Sequence, residues 1–332
     1  MSVSVPEGPA PRATEVASGQ VEARQGKVKT VGEATKTDPN VINITVFGMS
    51  DVGRVRKNNE DNFVVCNLTT GEASLTPALR DHRLGPRGTL FLVADGMGGE
   101  ACGEVASQIC ATTIPKRLYE NLKSMGNVSE TNFVLMLREA VEYANQIIYQ
   151  KAQGNPSYRG MGTTTTAAAL FGTHLFVAQV GDSRAYVLRN GQLVQLTRDQ
   201  TYLNYLADIG AEVPAEPEKD SRKSILTQAV GSSESVDVKV TYMKARSGDN
   251  LLLCSDGLYN MVKAPDILTL MTPEDALPAK CKALIDKANE HGGTDNVTLI
   301  LAELHGSGLP PAEESAGVEC LEFREEDFKT GS

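Results

Sequence analysis

Two kinds of hydrophobic pattern alternate along the central part of the chain. Short runs such as "VINITVFGMSDVG", "NFVVCNL" and "TLFLVAD" are rich in bulky and β-branched residues, which predicts strands. Apolar residues at helical spacing between Val134 and Ile148 predict a helix from residue 130 to about 152. A helix is also predicted from about 103 to 122, with an interruption near Pro115 because proline lacks a backbone N–H.

The second half of the chain returns to strands. The segments "GTTTTAAALFG", "HLFVAQVGD" and "RAYVLRNGQLVQLT" are predicted strands, and Asn190-Gly191 between alternating runs predicts a tight hairpin. Three further strands, "DVKVTYMKA", "NLLLCSD" and "NVTLILAEL", accompany helices that begin near Pro265 and at Pro273. Blocks of strands separated by pairs of helices predict an α+β domain with antiparallel sheets.

The two ends of the chain differ from this central part. Residues 1–40 are rich in small and charged residues and show no periodicity, which predicts a disordered arm. From His305 onward the composition shifts to Gly, Pro and acidic residues, which predicts a flexible acidic tail over 305–332. The predicted structured domain is therefore 41–304.

Composition excludes several classes of function. The 32 Lys and Arg residues stand against 42 Asp and Glu, a net charge of −10, and no basic block is present to bind nucleic acid or a membrane surface. The six cysteines have irregular spacing and are expected to be free thiols. Because the chain has neither a signal-peptide pattern nor an apolar stretch long enough to span a bilayer, a soluble cytoplasmic protein is expected.

A carboxylate recurs beside apolar strands and glycines. Asp95 ends "LFLVAD", Asp256 follows "LLLCS", Asp182 lies in "VGDSR", and Asp295 precedes "NVTLIL". One such residue would be an ordinary turn residue or cap, but four in the same context indicate a cluster, since a carboxylate beside a buried strand is costly unless paired or bound to metal. Oxygen ligands without His or Cys favour Mg²⁺ or Mn²⁺, and the carbonyl of Gly96 offers another oxygen.

A charged loop, "GRVRKNNEDNF", completes the candidate chemistry. It places Arg56 shortly before the acidic pair Glu60-Asp61 at the head of a strand. Alone it would be an ordinary surface loop. Beside a hard-metal cluster, the guanidinium would offer a planar grip on phosphate.

These segments resemble a known family. "SDVGRVRKNNEDN", "VADGMGG", "GMGTTTTAAAL", "VGDSRAY", "LLLCSDGL" and "GGTDNVTLI" are similar, in order and spacing, to motifs of the metal-dependent type 2C (PPM) Ser/Thr protein phosphatases, especially the bacterial branch. The resemblance spans roughly 43–303. It implies a β-sandwich of two antiparallel sheets flanked by antiparallel helix pairs.

The resemblance also implies roles for individual residues. Its metal centre would hold two Mn²⁺ or Mg²⁺ ions, and a metal-bridging hydroxide would attack phosphorus directly. Arg56 resembles the substrate-phosphate clamp. The metal residues are inferred as follows: Asp95 bridging both ions, the Gly96 carbonyl on one, Asp256 and Asp295 on the other, Glu60 and Asp61 holding bound waters, and Asp182 with Asp256 at a third site.

Three positions depart from the family pattern. Met97 stands where many members carry a proton-donating His, and thioether sulfur cannot donate a proton. Gln200 replaces the His of the usual Asp-His pair, at the base of a segment that corresponds to the family's flap. Asn260 replaces an Asp found in some members, which predicts a weaker third metal site. His291, close to Asp295, is expected to cap a helix, and the alternative is a catalytic proton role.

The expected function is hydrolysis of phosphoserine and phosphothreonine in proteins by a monomeric enzyme that opposes a bacterial Ser/Thr kinase. The alternative is a pseudophosphatase, a module that binds phosphoproteins without hydrolysing them. Retention of Asp95, Asp256 and Asp295 favours the enzyme, because a decayed site loses metal carboxylates first.

Overall fold

The computed structural model describes residues 40–98, 102–313 and 317–328. The predicted arm at 1–40 lies outside these ranges except for Asn40. Within them the chain forms strands and six α-helices. The strands are β1 Asn43–Asp51, β2 Asp61–Asn67, β3 Glu72–Ser74, β4 Arg80–Arg83, β5 Thr89–Met97, β6 Gly162–Thr163, β7 Thr165–Phe171, β8 His174–Val180, β9 Arg184–Arg189, β10 Gln192–Gln195, β11 Lys239–Lys244, β12 Asn250–Cys254, β13 Val297–His305 and β14 Leu321–Glu322. The helices are α1 Cys102–Ser124, α2 Glu130–Gly154, α3 Tyr202–Asp208, α4 Asp256–Tyr259, α5 Ala264–Met271 and α6 Leu277–Glu290.

The strands build two antiparallel sheets, as expected. The first sheet has the order β10-β9-β12-β13-β1-β4. The second has the order β14-β11-β8-β7-β5-β2-β3, and β6 pairs with β5 beside it. Because β5 and β12 belong to different sheets, Asp95 near the end of β5 and Asp256 after β12 meet only where the two sheets come together.

Three apolar layers hold the sandwich together. A central layer between the sheets contains Phe63, Phe91 and Leu253, all buried. An outer layer packs α1 and α2 on the second sheet, and the opposite one packs α5 and α6 on the first. This arrangement of helix, sheet, sheet and helix confirms the α+β class that the alternating patterns predict.

The predicted hairpin is confirmed, whereas the predicted interruption of α1 and the predicted start of α6 are wrong. Arg189 pairs with Gln192 across Asn190-Gly191, whose φ angles of 50° and 72° are those of a tight two-residue turn. The predicted interruption at Pro115 is wrong, because α1 continues through it and the proline ring is buried with Ile114 and Leu118. That burial offsets the lost hydrogen bond. The helix predicted from Pro273 begins only at Leu277, where Pro278 occupies the first turn.

The described part of the C-terminal segment packs on the second sheet. β14 pairs with β11 and forms the edge of that sheet, Leu309 and Phe323 are buried, and Phe328 lies 5.4 Å from Phe323, ring centre to ring centre. Over its described part, 305–313 and 317–328, the tail is therefore ordered, unlike the flexible extension that its composition predicts. A few aromatic side chains among the acidic residues provide the anchor.

The structure also bears on the cysteines and on membrane-spanning helices. All six cysteines are free thiols, as predicted. Across the described ranges, no helix combines the length and the apolar character that crossing a membrane requires.

Candidate active site

Two adjacent strands of the second sheet place Asp61 and Asp95 directly opposite each other. Asp61 begins β2 and pairs in register with Asp95 near the end of β5. Directly opposed residues of an antiparallel pair project to the same face, so the two carboxylates share one side of the sheet. Asp61 is only 6% exposed.

The first sheet supplies the other carboxylates. Asp256 opens the short helix α4 immediately after β12, and Asp295 lies just before β13, the strand paired with β12. A Cβ added at Gly257 would lie 2.0 Å from the carbonyl oxygen of Asn296. Glycine in "CSDGL" therefore permits close approach between the segments that carry Asp256 and Asp295.

Gly96 also permits close backbone packing. A Cβ at Gly96 would lie 2.2 Å from the carbonyl oxygen of Gly103 and 2.5 Å from that of Glu60. The Gly96 N–H donates to the Glu60 carbonyl at 3.2 Å. The glycine thus lets α1 and the Glu60 loop pack against β5 beside Asp95.

Ser255 links the two halves of the site across the sandwich. Its hydroxyl donates a 2.7 Å hydrogen bond to Asp61 Oδ2 and accepts one of 3.0 Å from the Thr298 backbone N–H. The Asp61 and Asp256 regions are thereby held at one end of the sandwich.

Burial and mutual repulsion raise the pKa values of this cluster. Burial raises the pKa of Asp61 to about 6. Burial, reinforced by the charge of Asp182, raises the pKa of Asp256 to about 8. The pKa of Asp95 is raised well above its ordinary value, first by burial and then by repulsion from Asp61 and Asp256. These carboxyl groups repel one another when ionised, so the cluster favours binding of a cation that offsets their charge.

One oxygen of Asp256 has no partner among the described residues. Its Oδ2 accepts a 3.1 Å hydrogen bond from Asn260 Nδ2, whereas its Oδ1 is buried and forms no hydrogen bond with any of them. A buried carboxylate oxygen without a partner is costly, and a metal ion would satisfy it. Asn260, the departure from the family pattern, is therefore a neutral neighbour that donates to Asp256.

The donor set fits a hard cation by its chemistry. No group of three or more Asp, Glu, His or Cys side chains in the described parts of the chain is arranged to hold a metal ion as it stands. The case for a cation therefore comes from clustered charge, oxygen donors and the unpartnered Asp256 Oδ1, and does not come from a preformed cage.

Asp182 approaches the cluster from the β8–β9 turn. It is 8% exposed, and its pKa is raised to about 6, first by burial and then by the nearby Asp199 carboxylate. Its backbone carbonyl accepts a 3.1 Å hydrogen bond from the hydroxyl of Tyr259. Asp182 also lines a cleft of about 300 Å³ between α5 and the segment after β10.

Arg56 lies at the rim and contacts Asp295. Its Nη2 is 2.8 Å from Asp295 Oδ2, and half of the side-chain surface is exposed. In the described part of the protein this is its only hydrogen bond. The remaining guanidinium N–H groups are therefore available to an oxyanion.

The loop that carries Arg56 and Glu60 depends on Asn296, which the sequence patterns did not single out. The Asn296 side chain is 4% exposed. Its Oδ1 accepts from the Glu60 N–H at 2.9 Å, and its Nδ2 donates to the carbonyls of Val52 and Asn58 at 3.0 and 2.9 Å. In sequence it is merely a polar residue after Asp295, which is why only its contacts identify it.

Two further predicted positions are also placed. Met97 is 39% exposed at the end of β5. His291 caps α6 as expected, and its Nδ1 lies 2.7 Å from the Met261 carbonyl oxygen. The structure thus brings Asp61, Asp95, Asp182, Asp256 and Asp295 into electrostatic contact, with Arg56 at the edge.

Comparison with known proteins finds consistent similarity to one family. The sequence model of the protein phosphatase 2C family matches residues 78–286. The serine/threonine phosphatase stp of Listeria monocytogenes is 32% identical over 254 residues, which cover 76% of this chain and 93% of that protein. The serine/threonine protein phosphatase PstP of Mycobacterium tuberculosis is 36% identical over 256 residues, covering 77% of this chain and 44% of PstP.

Solved structures agree with the sequence comparisons. The serine/threonine phosphatase of S. agalactiae has a TM-score of 0.68 at 31% identity, covering 78% of this chain and 99% of that one. The catalytic domain of PstP in complex with two manganese ions has a TM-score of 0.62 at 33% identity, covering 80% of this chain and 100% of that one.

Proposed function

The chain belongs to the protein phosphatase 2C family and is a serine/threonine protein phosphatase, and we propose that it hydrolyses phosphoserine and phosphothreonine by direct attack of water. The reaction would take place at the acidic end of the sandwich, whose oxygen donors would hold two Mn²⁺ or Mg²⁺ ions. The phosphorylated substrates are proteins modified by a Ser/Thr kinase.

One observation carries this proposal. Asp256 is buried beside other carboxylates, its pKa is raised to about 8, and its Oδ1 has no hydrogen-bond partner in the part of the chain that the structure describes. A structural carboxylate would instead be paired with a base or saturated with hydrogen bonds. The arrangement is costly without a cation and favourable with one.

The metal ions would be held by oxygen atoms from both sheets. Asp95 would be a ligand of both ions, the Gly96 carbonyl would be a ligand of one, and Asp256 and Asp295 would be ligands of the other. Glu60 and Asp61 would orient water at this centre, and Asp182 with Asp256 would form a weaker third site. When bound, the ions supply positive charge that lowers the pKa of water and offsets the charge of the phosphate.

Arg56 would orient the substrate phosphate. In the structure it is bound to Asp295 at the rim, with N–H groups left over. A guanidinium binds a phosphate through two parallel hydrogen bonds, which fixes the direction of the leaving oxygen as well as adding affinity. This local cation explains how a chain of net charge −10 can accept an anionic substrate.

The leaving alkoxide would take its proton from water. Met97, half-open to solvent at the end of β5, has no proton to donate. The described contacts of His291 are structural, since its Nδ1 lies 2.7 Å from the Met261 carbonyl oxygen and its backbone caps α6.

The test is hydrolysis of p-nitrophenyl phosphate and of a phosphothreonine peptide, with Mn²⁺ and with EDTA. Turnover of both substrates with Mn²⁺, and its loss with EDTA, is the expected result. Asp256→Asn should abolish turnover while leaving the circular dichroism spectrum unchanged. Peptide binding without Mn²⁺-dependent turnover would instead support the pseudophosphatase alternative and overturn the proposal.

A further inference from the structure

The turn that carries Asp182 is held by glutamine side chains. Asp182 follows Gly181 between β8 and β9, and residues 201–231, here called the flap, begin directly after Gln200. Gly181 N–H donates a 2.7 Å hydrogen bond to Gln200 Oε1, and Gln200 N–H donates to the Gly181 carbonyl at 3.0 Å. Gln179 Nε2 donates to the same carbonyl at 3.2 Å. Both backbone polar groups of Gly181 are thus satisfied by glutamines.

The same side chain is tied to the far end of the flap. Gln228 Nε2 donates to Gln200 Oε1 at 3.0 Å, and Gln228 also bonds the backbone N–H and carbonyl of Asp237. The carbonyl of Gln200 accepts from both the N–H and the hydroxyl of Thr227 at 2.9 Å. Gln200 therefore joins the two ends of the flap to each other and to the Asp182 turn.

Gly181 is closely packed in this turn. Its φ is +97°, a region that favours glycine, and an added Cβ would lie 2.7 Å from Thr164 Cγ2. Because Gly181 directly precedes Asp182, a displacement of Gly181 after loss of the Gln200 contact would also displace Asp182.

The flap beyond this point presents apolar side chains to solvent. Tyr205, Ile209 and Ile225 are each about half exposed, at 51%, 58% and 50%. Exposed apolar residues beside an active-site cleft suit contact with a protein substrate. A protein substrate bound to these side chains would therefore contact a segment that follows Gln200 directly and whose far end is hydrogen-bonded to Gln200.

We propose that Gln200 is a positioning residue that holds the base of the flap against the Asp182 turn, so that flap contacts with a phosphoprotein and the placement of Asp182 are coupled. This inference rests on the proposed function for its consequence in catalysis. Its structural core, the Gln200–Gly181 contact, does not require bound metal or substrate.

A matched set of variants isolates the contact. Gln200→Met keeps the side-chain length and removes both polar atoms, whereas Gln200→Glu keeps an acceptor for Gly181 N–H. Gln192→Met is the control, because Gln192 is an exposed strand residue outside this network. Gln228→Met removes the link between Gln200 and the far end of the flap, together with the contacts of Gln228 to Asp237, and leaves the Gln200–Gly181 contact in place.

The first measurement is hydrogen exchange of the Gly181 amide in EDTA-treated protein. We expect exchange to be about tenfold faster in Gln200→Met, the effect of losing one hydrogen bond of ordinary strength. Gln200→Glu and Gln192→Met should match the wild type. Unchanged Gly181 exchange in Gln200→Met would overturn the proposal, whatever the metal content.

The second measurement is Mn²⁺ binding by titration calorimetry. Gln200→Met should weaken the weakest Mn²⁺ site by about tenfold and leave the tighter sites within about twofold, because only Asp182 is displaced. Equal weakening of every site, or none, would contradict a role specific to the Asp182 turn.

The third measurement separates substrates and does not depend on how well Gln200→Met folds. Gln228→Met should raise KM for a phosphothreonine peptide several-fold while kcat for p-nitrophenyl phosphate stays unchanged, since the small substrate does not reach the flap. An unchanged peptide KM would overturn the coupling. A wild-type protein without Mn²⁺-dependent turnover would overturn the proposed function instead, and the exchange measurement would still decide the Gln200 contact.

Discussion

Ser255 Oγ donates a 2.7 Å hydrogen bond to Asp61 Oδ2, and this bond crosses from one sheet of the sandwich to the other. Ser255 follows β12 and Asp61 begins β2, residues 194 positions apart in sequence. Since Ser255 also accepts from the Thr298 N–H, one hydroxyl satisfies groups on both sheets at the point where the carboxylates meet.

Removing that hydroxyl should destabilise the protein. In Ser255→Ala, Asp61 Oδ2 and the Thr298 N–H each lose a partner in a buried setting. We expect the free energy of unfolding to fall by about 1–3 kcal/mol, measured by urea denaturation in EDTA. Ser124→Ala, at the exposed end of α1, should stay within about 0.5 kcal/mol. A Ser255→Ala protein as stable as the wild type would show that the cross-sheet bond contributes nothing.

The metal-free protein should lose stability as pH rises from about 4 to 8. The pKa values of Asp61 and Asp182 are raised to about 6 and that of Asp256 to about 8, above the ordinary value of 3.8. In that window the folded state binds more protons than the unfolded state, so raising the pH favours unfolding. Asp256→Asn should be more stable than the wild type at pH 8 in EDTA, and its decline with pH should be shallower.

Thermal unfolding in EDTA at several pH values tests this. Asp286→Asn, an exposed residue paired with Lys282 on α6, is the control and should keep the wild-type slope. Adding Mn²⁺ at about 100 times its dissociation constant should stabilise the wild type by about 2.7 kcal/mol. The stabilisation should be smaller in Asp256→Asn. A wild-type stability that increases between pH 5 and 8 in EDTA would contradict the buried, uncompensated cluster.

Asn296→Asp should damage the active site more than its small size change suggests. An aspartate keeps an acceptor for Glu60 N–H but places an oxygen against the carbonyls of Val52 and Asn58, which now receive hydrogen bonds. We expect a loss of about 2–3 kcal/mol in stability and at least about a tenfold fall in kcat, because the Arg56 loop is no longer held. Asn132→Asp, on the exposed face of α2, should change neither quantity. Full activity in Asn296→Asp would remove Asn296 from the positioning of that loop.

Arg56→Lys should impair turnover although the charge is retained. Lysine cannot form the paired, planar hydrogen bonds that a guanidinium makes with phosphate. We expect kcat/KM for a phosphothreonine peptide to fall about 10- to 100-fold, with the unfolding free energy almost unchanged because the Arg56–Asp295 pair is exposed. Arg54→Lys is the control, because Arg54 lies in the same loop and forms no ion pair with a described residue; it keeps its backbone bond to Gly293 and should behave like the wild type. Equal losses of kcat/KM at both positions would indicate that the loop attracts the phosphate by its charge alone and that Arg56 forms no specific hydrogen bonds with it.

The strands and the acidic positions could be predicted from sequence because their signals are local. Apolar runs ending in a carboxylate marked β5 and β12, and Asn190-Gly191 fixed a hairpin through its own backbone preferences. Pro115 was misjudged because the cost of proline is local, whereas the burial that offsets it comes from the sheet beneath α1. The tail was misjudged similarly, since Phe328 packs against Phe176 of β8 and Tyr242 of β11, which are distant in sequence.

The sequence by itself determined which residues could carry the chemistry: Asp95, Asp256, Asp182 and Asp295 beside strands, and Arg56 ahead of Glu60-Asp61. Only the tertiary structure decided how they are held. Ser255 joins the sheets and Asn296 holds the Arg56 loop, although neither differs in sequence from an ordinary polar residue. Gln200 was marked in sequence only as a departure from the family pattern, and its hydrogen bonds to Gly181 appear only in the fold. A carboxylate beside a strand is conspicuous because its burial is costly wherever it occurs, but a hydrogen-bonding amide or hydroxyl has a role only through the partners that folding brings to it.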